Sequence, residues 1–430
     1  MINKKKPVVM DLFAGCGGLS LGLEEAGFNP IFVNELHQDP LATYLTNRIY
    51  KNPLLVKYSE ADIKNMVLKN SFLEDLKSGF KKDYDRDASK GEIDLVVGGP
   101  PCQGYSGIGH RRSYSVEKKQ LPSNHLYEDM VYVVSSIKPK IFLFENVRGL
   151  LSSRWEKGGR KGEVWERVLK TFQDIPGYHV RFDLVHAKDY GVPQNRPRVL
   201  LVGIRKNLGI EPLGLPSATS AIEAGFLPRK NQGSPPDLID LMGDLVDPSF
   251  ENGGKTSRYP SKAKTKIQKD LRTERDTGGV LKKGDRLSEQ EYSKHSESII
   301  EKFKYMIENN GEIPKEMKTK KFAQRVLPQR WNNGGPSITA TSLADEYVHF
   351  SQARSLTVRE LARLQMFPDW YEFVGKRTTG GTRRAGNPRK GIHDREVPKY
   401  TQIGNAVAIP LARVVGEHFI RLLKNNPRDF

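Results

Sequence analysis

What most limits the fold of this chain is an alternation that fills residues 7–205. Short apolar runs recur there: "PVVMDLF", "NPIFVNE", "IDLVVGG", "PKIFLFENV", "YHVRFDLVHA" and "RVLLVGIR". Helical patterns fall between them, for example at Leu19–Ala26 and Tyr127–Ile137. A strand covered on both faces reads as a continuous apolar run, and parallel neighbours need a crossover to join them. The alternation therefore predicts an α/β domain built on a doubly wound, mostly parallel sheet. Such sheets bind ligands beyond the carboxyl ends of their strands. The polar punctuation of the chain falls at those ends, as "AGCGG", "NE", "PPCQ" and "ENVRG".

The character changes near residue 206. Residues 206–350 are polar, rich in Lys, Gly, Ser and Pro, and lack the alternation, although "PPDLIDLMGDL" and "SESIIEKFKYMI" read as helices. The stretch "TSRYPSKAKTKIQKDLRTERDTGGVLKKGDR" reads as a basic, loop-rich segment. Aromatic and β-branched residues return at "GGPSITATSLADEYVHF", which favours a second domain with a basic face over a disordered linker. A helical pattern follows at "TVRELARLQMFPDWYEF", then a basic, glycine-rich stretch over Gly375–Pro398. The end, "YTQIGNAVAIPLARVVGEHFIRLL", reads as an amphipathic helix after a Gly-Asn turn, with an apolar face able to pack back on the first domain. The expected division is residues 1–205 completed by 400–425, with a second domain over 206–399.

The formal net charge of +18 points to a polyanion or an anionic membrane surface as partner, with simple solubility as the alternative. Two cysteines make no disulfide framework, and no C-x-x-C pair points to zinc, so no metal site is expected. The apolar run after "MINKKK" is too short for a signal peptide or a membrane span, so a reduced, cytoplasmic protein is expected.

Chemistry concentrates at the strand ends. Cys102 stands past a strand, on a turn stiffened by Pro100 and Pro101, where a nucleophile can meet substrate. In "DLFAGCGGLSLGLEEAGF", Gly15, Gly17 and Gly18 allow a tight bend and close approach of a ligand to the following helix. A glycine turn of this kind is also made for purely structural reasons. Glu35 follows Gly15 by 20 residues, at the end of the next strand, where a ribose-binding carboxylate belongs. Ser20 replaces the third glycine of a dinucleotide fingerprint, which favours a nucleoside cofactor without pyrophosphate, such as S-adenosylmethionine. Glu145 either caps or pairs structurally, or acts as a carboxyl of raised pKa that protonates a substrate nitrogen. Arg196 and Arg198 alternate along an extended segment, so both can face one cleft. A thiol, a carboxyl, an arginine and a nucleoside cofactor in one crevice suit covalent activation of cytosine for methylation at carbon 5.

These residues resemble the cytosine-5 DNA methyltransferases of bacterial restriction–modification systems. The motifs run in family order: "DLFAGCGGLSLGLEEAGF", "VNE", "ADI", "GGPPCQGYS", "FENVRGL", "GVPQNRPRV", "RELARLQMFPD" and "QIGNAV". The resemblance implies a Rossmann-like methyl-donor domain, a smaller target-recognition domain, and double-stranded DNA between them. It makes Cys102 the nucleophile, Glu145 the group at the cytosine N3, and Arg198 the holder of O2, with Arg196 beside it. Gln103 and Ser106 begin a catalytic loop over about residues 103–125, in which Gly104, Gly107 and Gly109 suit a lid and Arg111 and Arg112 suit phosphates. Phe13, Ala14, Gly15, Gly17, Gly18, Glu35, Asp62, Ile63 and Asn405 form the pocket for S-adenosyl-L-methionine. Pro100, at the same crevice, offers its carbonyl to the exocyclic amine of the base. The resemblance further implies a monomer without membrane contact, located with the nucleoid through DNA. Any cognate restriction endonuclease would act on the same site without a stable complex.

Two departures stand out. "GNAVAIPLA" lacks the Pro-Pro pair many members carry after the valine, and the segment around "GKRTTGGTRRAGNPRKG" is longer than in small members. An RNA cytosine methyltransferase is the alternative enzyme; the large basic region over 206–350 favours duplex DNA. A catalytically silent DNA-binding regulator would not need Cys102, Glu145 and Arg198 together. A nicotinamide oxidoreductase would leave the P-P-C-Q turn without a role.

Overall fold

The computed structural model describes residues 6–101, 122–156, 158–213, 219–230, 233–318, 324–332, 335–337, 346–379 and 396–424. The first half forms β1 (Val8–Leu12), α1 (Gly18–Ala26), β2 (Asn29–Asn34), α2 (Gln38–Thr46), α3 (Leu54–Lys57), β3 (Ser59–Glu60), α4 (Ile63–Leu68) and α5 (Asn70–Asp83). It continues with β4 (Leu95–Gly98), α6 (Leu126–Ile137), β5 (Ile141–Val147), α7 (Glu163–Gln173), β6 (Tyr178–His186) and β7 (Pro197–Arg205). All six expected strands are present, and the two-residue β3 adds an edge that is too short to read from a pattern.

The seven strands make one sheet in the order β3-β2-β1-β4-β5-β7-β6. The β1, β2, β3, β4 and β5 pairings are parallel, whereas β7 runs antiparallel to both β5 and β6. That reversal decides where the chemistry gathers. Because β7 runs backwards, its first residues meet the last residues of β5, and Arg198 lies opposite Val147. A motif preceding a strand thus reaches the same sheet edge as motifs following strands.

Both faces of the sheet are covered. One core holds Met10, Leu12, Val96, Met130, Phe142 and Phe144, and the other holds Val9, Leu23, Leu95, Leu143, Val202 and Phe419. The second core already contains the far end of the chain. It comes from helices α12 (Lys399–Asn405) and α13 (Ile409–Lys424). The terminal segment corrects the sequence reading in one respect: "QIGNAV" is no turn before a single helix but the end of α12. The break falls at Ala406–Ala408, and Pro410 lies in the first turn of α13, where its missing N–H costs no hydrogen bond. Helix α13 then lies along α1 at glycine contact: a Cβ on Gly22 would come within 2.5 Å of Ala412.

The described part of the region after 206 is short helices, irregular chain and one small parallel pair: α8 (Leu238–Met242), α9 (Lys266–Leu271), α10 (Glu297–Glu308), β8 (Arg325–Val326) against β9 (Tyr347–Val348), and α11 (Val358–Leu364). Helix α9 interrupts the stretch read as loop. Its signal was present as a capping box, in which Thr265 and Gln268 satisfy each other's backbone groups. This region is packed: Leu238, Leu241, Leu245, Tyr259 and Leu271 share a core with Leu361, Phe367 and Tyr371 and with Cys16 and Leu21 of the first segment. Among the described residues, no helix is long and apolar enough to cross a membrane.

Candidate active site

Strand β1 ends in a backbone of unusual shape. Phe13 has φ 55°, a left-handed conformation costly for an aromatic residue, and Gly15 and Gly17 follow at 56° and 84°. Strain of this kind persists where surrounding contacts over-determine it. Here the Asn34 amide ties three strand ends together, accepting from Phe13 N at 3.3 Å and donating to the carbonyls of Glu60 at 2.8 Å and Ala61 at 3.0 Å. Glu35 secures the turn itself: its carboxylate accepts from Gly15 N and from His37 N, each at 2.9 Å. Burial pushes the Glu35 carboxyl above its ordinary range, against those two backbone donors.

The glycines of this turn divide by role. A Cβ on Gly15 would meet nothing within 4 Å, so this glycine borders open space. Gly17 and Gly18 instead face protein: a Cβ on Gly18 would lie 2.6 Å from the Val407 carbonyl and 3.0 Å from Ala406. The sequence reading assigned all three to close approach of a ligand, and the structure gives the last two a packing reason. Phe13, Ala14 and Gly15 are half-buried on the open side, while Cys16, Gly17 and Gly18 are buried below. Asp62 is exposed and caps α4 by accepting from Lys64 N at 2.9 Å, with Ile63 buried behind it. Asn405 is exposed at the end of α12, one residue before the segment that packs on Gly18.

At the β4–β5–β7 edge, Arg198 Nε meets Glu145 Oε1 at 2.6 Å. Their side chains are 9% and 12% exposed, so the pair sits in low dielectric while keeping a window to solvent. Burial raises the Glu145 carboxyl, and Arg198 and then Arg196 oppose the shift without cancelling it. Gly99 lies close beside it: a Cβ there would come 2.9 Å from Glu145 Oε2, so the carboxylate would have to shift. Gly98 is excluded from a side chain by Met130, 2.8 Å from the same construction. Next to them, the buried Pro100 carbonyl accepts from the Asn146 amide at 3.2 Å, the one side-chain donor to it among the described residues.

Arg196 acts on Glu145 through its charge and also serves a second role. Its guanidinium donates to the carbonyls of Gly404 and Ala406 and so fastens the α12–α13 break to the start of β7. Gln194 and Gln365 extend this knot: Gln194 donates to the Leu364 carbonyl and the Gln365 side chain, and Gln365 donates to Ile403 O at 2.9 Å. Neither glutamine nor Asn34 was singled out from sequence, although each stands inside a motif that was quoted. Cys102, Gln103, Ser106 and the rest of the catalytic-loop expectation up to 121 lie outside the described residues. Cys16 is a buried core thiol, pushed up to about 12 by burial and directed at the Gln402 carbonyl at 3.4 Å.

A sheet of this order, with strained turns, a carboxylate and an ion pair gathered along one edge, defines a Rossmann-like α/β protein of the methyltransferase type. The fold is similar to the crystal structure of a candidate DNA modification methyltransferase encoded within an E. coli prophage, with a TM-score of 0.65, 24% identity, and coverage of 97% of this chain and 99% of that one. The model of the C-5 cytosine-specific DNA methylase family matches residues 8–421. The chain belongs to that family and is a cytosine-5 DNA methyltransferase. Among its relatives are the type II methyltransferase M.XorII of Xanthomonas oryzae pv. oryzae, 30% identical over 98% of this chain and 86% of the relative. Another is M.DdeI of Desulfomicrobium norvegicum, 28% identical over 97% of this chain and 89% of the relative.

One consequence of the crowding at Gly99 can be measured. Gly99→Ala is expected to displace the Glu145 carboxylate and lower turnover by roughly ten- to a hundredfold, as misplacement on the order of 1 Å does. Thermal denaturation should change little, and a variant with wild-type turnover would show that Glu145 is free to move.

Proposed function

We propose that the protein methylates carbon 5 of a cytosine flipped out of a specific double-stranded DNA site, using S-adenosyl-L-methionine, as the modification half of a restriction–modification or phage-defence system in the bacterial cytoplasm. The observation that carries this reading is the Glu145–Arg198 pair, largely buried at the end of β5, two strands along the sheet from β1 and its glycine bend. S-adenosyl-L-methionine supplies the electrophilic methyl group. The residues present fit it: the space over Gly15, the half-buried Phe13 and Ala14, and the Glu35 carboxylate at the neighbouring strand end, with Asp62, Ile63 and Asn405 around them.

The chain's own groups divide the remaining work. The Cys102 thiolate forms a bond to carbon 6 of the ring, while Glu145, its carboxyl raised by burial, gives a proton or hydrogen bond to N3. Carbon 5 thereby gains enamine character. Arg198 holds the Glu145 carboxyl and faces O2, and the Pro100 carbonyl suits the exocyclic amine. After carbon 5 is methylated, it gives its proton to water; the C–H electron pair forms the carbon 5–carbon 6 double bond and expels the sulfur, which restores the aromatic ring and frees the thiolate. Residues 1–205 with 400–425 form the catalytic unit in this reading, and sequence choice resides in 206–350. Restriction–modification follows from the relatives, which carry type II methyltransferase names.

Bisulfite sequencing of DNA from a methylation-free host expressing the chain tests the function directly. One fully protected cytosine within one short recurring site is expected; unmodified DNA with modified tRNA would overturn the reading in favour of the RNA enzyme. DNA affinity should also depend steeply on salt, because a chain of net charge +18 displaces counterions from phosphates. Titration from about 50 to 200 mM salt should weaken binding at least about tenfold, and a flat response would argue against a duplex partner.

A further inference from the structure

The glycine turn after β1 is gripped from beneath by two side chains that no motif announces. Arg48, just past α2, is buried, and its guanidinium donates to Gly17 O, to Tyr44 O and to the Tyr371 hydroxyl, each at 3.0 Å. Its Nε meets Glu24 at 2.6 Å, so all three nitrogens of the guanidinium are engaged. The buried Tyr371 hydroxyl donates to Cys16 O at 2.5 Å. The carbonyls of two successive turn residues are thus each held by one side chain, and those two side chains hold each other. The fit leaves no slack: a Cβ on Gly17 would lie 2.8 Å from Arg48 Nη1, 2.8 Å from the Tyr44 ring and 3.0 Å from the Tyr371 hydroxyl. On its other side the same turn carries Gly15, which borders open space.

The two clamps come from opposite ends of the chain. Arg48 belongs to the first βα units, whereas Tyr371 follows α11. Arg363 of α11 and Asp369, between that helix and Tyr371, are locked into a buried charge network with Asp244 and Arg272 of the region after 206. Two further bonds seat the same segment on α2 and its exit: Glu372 N donates to the Asn47 amide oxygen at 3.0 Å, and Val374 N to Thr43 Oγ1 at 2.8 Å. The shape of the turn is therefore not a property of the glycines alone. It is imposed by a rigid segment that also anchors the second half of the molecule.

We propose that Arg48 and Tyr371 are positioning residues for the methyl donor: by fixing the Cys16 and Gly17 carbonyls, they set the shape of the Gly15 turn and with it the affinity for S-adenosylmethionine. This rests on the reading of that turn as the cofactor seat. Neither residue touches the donor, so both act on its binding through the turn, and the chemical step at the cytosine is left intact. A tyrosine that merely filled the core would instead affect stability alone.

Calorimetric titration of S-adenosylhomocysteine into the full-length protein separates these cases. Tyr371→Phe keeps the ring and removes the hydroxyl; it should weaken binding about fivefold or more, the effect of one lost buried hydrogen bond. The KM for S-adenosylmethionine should rise by a similar factor, with kcat held within about twofold. Arg48→Lys, which keeps the charge but loses the fork, should weaken binding further. The control is Tyr178→Phe, which deletes another buried hydroxyl, donating to Pro139 O at 2.5 Å, remote from the turn. Its affinity should match the wild type. Equal affinity in Tyr371→Phe and wild type, or equal weakening in Tyr178→Phe, would overturn the proposal. A wild-type protein that binds no S-adenosylhomocysteine would instead overturn the cofactor reading beneath it, and the proposal with it.

Discussion

Cys102→Ser is expected to lower methyl transfer by several powers of ten while leaving DNA binding largely intact. Serine keeps the size of the side chain and its place on the Pro-Pro turn, but its hydroxyl is scarcely ionised at neutral pH, where a thiol supplies a reactive thiolate fraction. Without addition at carbon 6, carbon 5 of cytosine stays too poor a nucleophile to accept a methyl group. The measurement is single-turnover transfer of labelled methyl groups to duplex DNA, beside a gel-shift titration of the same variant. Retention of more than about a tenth of wild-type turnover would rule out covalent catalysis by this residue. Cys16→Ser makes the informative comparison. Cys16 is buried, its thiol raised to about 12, so it offers no thiolate and should affect folding but not the chemical step.

The second large effect lies far from the cytosine. Asp244 is buried and joins two arginines, meeting Arg272 Nη2 and Arg363 Nη1 at 2.6 Å each. Asp369 is the other carboxylate of the cluster, held below the usual range by Arg363 and accepting from the Tyr259 hydroxyl at 2.6 Å. Arg359 lies beside it, 3.9 Å from Asp369. Asp244→Ala would leave three buried guanidiniums around one carboxylate. Removing one partner from a buried ion pair costs about 3–5 kcal/mol, because the charge left behind stays desolvated. The expected result is a loss of that order in urea unfolding, with aggregation when the variant is expressed warm. Loss of less than about 1 kcal/mol would mean that water or rearrangement satisfies the arginines. Substituting the arginines and acids together by apolar residues of matching volume should recover much of the loss, since the network's own desolvation is then relieved as well.

These two predictions rest on information of different kinds. The strand β4, the glycine bend after β1 and the acidic residue following β2 were all legible in the amino-acid sequence, because each is a local pattern: an apolar run, a turn residue, a polar stop. The same holds for the six longer strands and for most helices, whose apolar spacing reports which face is covered. The capping boxes at Thr265 and Thr357 were equally local, and α9 could have been found from the first of them.

What tertiary structure alone decided is how residues distant along the chain meet. The antiparallel course of β7 has no signature in its apolar residues, yet it brings Arg198 to Glu145 across the sheet edge. Arg196, whose charge acts on Glu145, also donates to the carbonyls of Gly404 and Ala406, more than two hundred positions away. Arg48, Tyr371 and Asp244 carry no mark in their neighbours at all. A buried charge or hydroxyl owes its role to the partners that desolvation forces it to find, and those partners are set by the packing of whole segments. The sequence by itself therefore determined the sheet, its turns and the reactive groups at its edge. The fold determined which of those groups face one another, and which side chains hold them still.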